Sequence, residues 1–159
     1  LQEAKSDLVG IAVFDRLSNK LQSANGLTET MWRRGEIENY FCTQSVLLAY
    51  ARYDVPDDLF GASERENRER AMREAIAEVT KFLEIDGKYP WSPDVKATDE
   101  VLDRVFRLFF KKLALPLQLR KSDYYLLVGL APKESLDAEI TEKLDAIVRV
   151  AKQASPRTE

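Results

Sequence analysis

Only two stretches of this 159-residue chain have the pattern of a β-strand, and both lie near its beginning. "LVGIAVF" (8–14) is a short, β-branched apolar run ending at Asp15, which favours a buried strand over a helix. "LTETMW" (27–32) alternates apolar and polar residues and reads as a second short strand. The turn-rich loop "DRLSNKLQSANG" joins them and closes at Gly26. Two strands do not make a stable sheet by themselves. Either helices cover a small sheet, or strands encoded upstream complete it, and the second is the expectation adopted. A first residue Leu1 in place of methionine fits that expectation of a piece of something larger, although a lost tag would look the same.

Beyond the strands the apolar period becomes helical. Thr43 can cap a helix through "SVLLAYARY" that stops before Pro56. Ser63 followed by Glu66 has the pattern of a capping box opening a long helix. Its apolar stripe is Ala71, Met72, Ala75, Ile76, Val79, Phe82 and Leu83. After the proline-bearing loop "DGKYPWSPDVKATD", Thr98 or Asp99 starts a helix through "VLDRVFRLFFKKLAL", ended by Pro116. That helix is apolar around most of its girth, so Phe106, Phe109 and Phe110 are expected in the core. Ser122 is expected to cap "DYYLLVGLA" and Asp137 the last helix, "AEITEKLDAIVRVAKQA", with the tail "SPRTE" frayed. The expected fold is therefore α/β, with one or two strands followed by about five helices, in a chain long enough for one domain with a core.

Composition narrows the chemistry. The chain has no histidine, which removes His-based triads, His-ligated zinc and His general bases together. Metal chemistry must then rest on carboxylates, which suit hard cations such as Mg2+ or Mn2+. A net charge of -3 excludes a strongly basic nucleic-acid binder but not a local basic patch. Cys42, the single cysteine, cannot form an internal disulfide, which is compatible with a reducing cytoplasm. No apolar run approaches a membrane span, so no membrane partner is expected.

Three carboxylates stand out. Asp15 follows an apolar strand, where open α/β sheets place their ligands. Glu36 and Glu38 are two residues apart, so in extended chain they share a face. The bland reading makes Asp15 a turn residue and the glutamates a charged surface row. The functional reading has all three converge on a divalent cation for phosphodiester hydrolysis, with Arg16, Arg33 and Arg34 holding DNA phosphates. Cys42 before a helix start reads as a buried structural residue more readily than as a thiolate. Tyr89 and Trp91 beside Pro90 and Pro93 could stack on bases, but such a loop more often packs over a core. "ERENRER" (64–70) reads as a solvated, salt-bridged helix face.

The stretch "WRRGEIENYF", preceded by "GIAVFDRLSN", resembles the Toprim nuclease region of the overcoming-lysogenization-defect (OLD) family. The distant "LRKSDYYLLVGLAPKESLDAEITEKLDAI" is similar to the helical end of the same C-terminal regions. The resemblance implies a Toprim domain that follows an ABC-type ATPase domain in one chain and cleaves DNA with Mg2+ or Mn2+ in phage defence. ATP would bind only outside this chain, and a second copy of the chain is a further expected partner. Asp15 would match the first aspartate of the Toprim Asp-x-Asp pair, and Glu36 and Glu38 the acidic residues of the Glu-Ile-Glu-Asn-Tyr motif beside the metals. Lys121 would match the lysine that faces the scissile phosphate. On this likeness residues 1–42 form a partial Toprim-like sheet, 43–120 a helical insertion and 121–159 the C-terminal helical segment. Two positions depart from the pattern. Leu17 stands where the second aspartate belongs, and Glu3 is too close to the first strand to be the glutamate of an earlier one. The isolated chain is therefore expected to be inactive. The rival expectation is a decayed Toprim-like domain serving as a dimerisation or regulatory module, with a plain helical interaction domain third.

Overall fold

Strands β1 (Gly10–Phe14) and β2 (Leu27–Met31) pair in parallel, Gly10 opposite Leu27 and Phe14 opposite Met31. They belong to a computed structural model that describes residues 9–22 and 26–154. The expected strand start at Leu8, the position of Glu3, residues 23–25 of the joining loop and the frayed tail "SPRTE" lie outside the described residues. The chain is α/β: this two-stranded sheet at the N-terminal end is followed by α1 (Gln44–Arg52), α2 (Leu59–Ile85), α3 (Asp103–Lys112) and α4 (Ala138–Gln153). A ten-residue 3-10 helix, Lys121–Leu130, lies between α3 and α4. No described helix is long and apolar enough to cross a membrane.

The residues divide into two compact units. The first combines the described residues of Leu1–Arg34 and Asp137–Glu159, and the second is Gly35–Leu136. These boundaries differ from the 42/43 and 120/121 divisions suggested by the sequence. In the first unit α4 packs against β1, every residue of which is half-buried. The pairing continues past both strand ends, through Gly10 N–H to the Gly26 carbonyl at 2.7 Å and Trp32 N–H to that of Phe14 at 2.9 Å.

The second unit holds the main core. Val46 and Leu47 of α1, Met72, Val79 and Leu83 of α2, and Val105, Phe106, Phe109 and Phe110 of α3 are all buried in one cluster. The three phenylalanines expected in the core are there. So is most of the α2 stripe, but Phe82 is half-exposed at its edge, beneath the Arg104 guanidinium at 4.2 Å from the ring centre. Thr43 caps α1 through Val46 N–H at 3.3 Å, and Asp137 caps α4 through Glu139 N–H at 3.0 Å, both as expected.

Three helix boundaries differ from the sequence reading. α2 begins at Leu59, a turn before Ser63, because Asp58 is the cap and its carboxylate accepts the Gly61 N–H at 2.7 Å. The helix before Pro116 starts at Ala97, with π-helical pitch over Ala97–Leu102, and its end is marked by Ala114 at φ 54° ahead of the proline. In the 3-10 helix it is Asp123, not Ser122, whose carboxylate accepts the Arg120 N–H, at 2.9 Å.

Gly61 is required by crowding. A methyl group there would stand 1.8 Å from the backbone carbonyl oxygen of Pro56. Gly61→Ala is expected to cost about 1–3 kcal/mol through backbone displacement, despite the better helix propensity of alanine. Urea unfolding would measure it, and a variant as stable as the wild type would contradict the crowding.

Candidate functional site

Parallel pairing places the C-terminal ends of β1 and β2 at the same sheet edge. Asp15, Arg16, Arg33 and Arg34 therefore gather there, and the Arg16 guanidinium donates to the Arg33 carbonyl at 3.1 Å. Asp15 is exposed. Leu17, also at this end, is 46% exposed and carries no ligand atom.

The arginines meet carboxylates of α4 and its cap, which the sequence reading did not pair with them. Arg33 Nε lies 3.1 Å from Glu139 and its Nη2 3.0 Å from Glu142. The Arg33 backbone N–H also donates to Glu139, at 3.0 Å. Glu139 is buried at 2% exposure, so this carboxylate binds the chain after β2 to the first turn of α4. Arg34 pairs with Asp137 at 2.9 Å. The Asp137 carboxyl is held below its ordinary range, first by the Glu139 N–H that it caps and then by Arg34. The only local sign of these roles was the acidic first turn of α4.

Glu36 and Glu38 belong to the second unit. The Glu36 carboxylate accepts the Thr98 N–H at 2.9 Å and so caps the helix that leads into α3 from a distant segment. Next to Thr98, Asp99 pairs with Lys121 at 3.2 Å, both side chains being exposed. The Lys121 pKa is raised, mainly by that hydrogen bond and more weakly by the field of Asp99 and Glu36. Two of the expected site residues, Glu36 and Lys121, thus share one neighbourhood. The Glu38 carbonyl takes the N–H groups of Phe41 at 3.2 Å and Cys42 at 2.8 Å.

Asn39, the neutral member of the motif, has the most buried role. Its Oδ1 accepts the Glu36 N–H at 2.8 Å, and its Nδ2 donates to the Ser92 and Val95 carbonyls at 3.2 and 3.0 Å. Gly35 adds a bond to the Pro93 carbonyl at 2.7 Å. The Pro/aromatic loop is therefore docked on "GEIENY", with Trp91 against the core and Tyr89 exposed. Asn39→Asp keeps the shape but aims a carboxylate at two carbonyls. It should destabilise the second unit by about 3 kcal/mol at neutral pH. The loss should shrink as pH falls, because a protonated acid can donate to one of those carbonyls. A pH series of denaturant melts checks this, and a flat profile would contradict it.

Cys42 is buried, and burial followed by the fields of Glu36 and Glu38 pushes its thiol up to about 12, which leaves it a packing residue. On α2, Arg68 pairs with Glu64 at 3.6 Å, while Glu69 joins Arg52 and Arg73, the salt-bridged face expected of "ERENRER". Among the described residues no group of three or more Asp, Glu or Cys side chains is gathered to hold a metal ion. Comparison with protein-family models, curated proteins and solved structures gives no match to the chain.

Proposed function

We propose that this chain is the C-terminal, Toprim-like part of an ATPase-coupled DNA endonuclease of the OLD kind, dependent on Mg2+ or Mn2+ and acting in phage defence. The observation that carries the reading is the shared C-terminal end of two parallel strands, with exposed Asp15 and Arg16 following one strand and Arg33 and Arg34 following the other. Its donors are hard oxygens, which suits such a cation, although the described residues assemble no complete ligand set. Asp15 would supply one ligand at this end of the sheet. A bound metal would activate water and stabilise charge on the phosphate. Arg16, Arg33 and Arg34 would position DNA phosphates.

A second reading, a non-catalytic dimerisation or regulatory module, is favoured by a different set of contacts. Leu17 lacks a ligand atom, Glu36 caps a helix, and Arg33 and Arg34 are ion-paired internally. Plasmid cleavage by the protein joined to its ATPase domain separates the two. Nicking that needs Mg2+ or Mn2+ and stops with a chelator supports the nuclease. No cleavage by a folded, ATP-hydrolysing protein supports the regulatory module.

A further inference from the structure

We propose that the outer face of α4 pairs antiparallel with α4 of a second copy of this chain; the proposal does not rest on the nuclease reading. The helix has two distinct sides. One, carrying Glu139, Lys143, Ala146 and Val150, is buried or half-buried. The other carries half-buried Ile140 with Leu144 at 57%, Ile147 at 40% and Val148 at 50% exposure, and exposed Ala151. At about 100° per residue these five side chains fall within an arc of roughly 100°, the width of a packing stripe.

Charge selects the occupant. Asp145 and Lys152 flank the same edge of the stripe, and neither makes an ion pair within the described residues. A two-fold axis between Ile147 and Val148 sets Leu144 opposite Ala151 of the other copy. It also brings Asp145 within reach of the other copy's Lys152, and symmetry makes that contact twice. Parallel pairing would instead set each aspartate level with its own copy. From Leu144 to Ala151 the stripe runs only about 10 Å, so the interface is small and a dissociation constant on the order of 1–100 μM is expected.

Sedimentation equilibrium of the 159-residue chain up to about 200 μM should therefore show a reversible dimer. Ile147→Asp should weaken it at least about tenfold with an unchanged circular dichroism spectrum, since the position is solvent-exposed. Asp145→Lys should also weaken it, and adding Lys152→Asp should restore it, which non-specific apolar association would not do. A disulfide test covers the case of a misfolded variant. Ile147→Cys, close to the axis, should cross-link to its copy under mild oxidation. Ile140→Cys should not, because it would lie about 20 Å along the axis from its copy. A wild-type monomer throughout the range, a charge swap without rescue, or equal cross-linking at both positions would each overturn the pairing.

Discussion

On the nuclease reading proposed above, Asp15→Ala is expected to lower plasmid cleavage by the protein joined to such an ATPase domain about 100-fold or more, without unfolding the domain. The two halves of this expectation have separate physical grounds. A strand-end carboxylate on a catalytic metal supplies charge at the reacting phosphate, and its removal leaves the cation weakly held. Asp15 is exposed and contributes no packing to a core, so the fold does not depend on its bulk. Rates are to be measured over a range of Mn2+ concentrations, with folding followed by circular dichroism. Equal cleavage by wild type and Asp15→Ala would remove Asp15 from the mechanism and undercut the nuclease reading of this edge.

Phe109→Ala is expected to destabilise the helical unit by roughly 3–5 kcal/mol. The ring is fully buried, 5.1 Å from Phe110 and 6.3 Å from Tyr50 between ring centres, with the Arg68 guanidinium 6.0 Å over its face. Truncation removes those contacts and opens a cavity among side chains held by three helices, where relaxation is limited. Phe82→Ala is the matched control. That ring is 48% exposed, and its loss should cost less than half as much. Urea melts of the two variants compare them directly. A Phe109→Ala protein as stable as Phe82→Ala would refute the placement of Phe109 at the centre of the core.

The sequence by itself determined the features whose causes are local. Strands at 10–14 and 27–31 were legible because β-branching and alternation act within a few residues. Thr43 and Asp137 were legible as caps because a cap bonds only two or three residues ahead. The α3 phenylalanines announced their burial through a helix face too apolar to meet water. Where two local solutions competed, only the tertiary structure chose. Asp58 and Ser63 both offer capping oxygens, and the tight turn of Pro56 against Gly61 sets the helix start at the first. The roles of the charged residues were least legible of all. Arg33 meets Glu139 from 106 positions away, and Glu36 meets the Thr98 amide from 62. Complementary charge in a sequence names no partner, since any acid can answer any base. Chain folding alone decides which two meet, and here it gave Arg33, Arg34, Glu36 and Asn39 contacts that tie together distant segments within each unit.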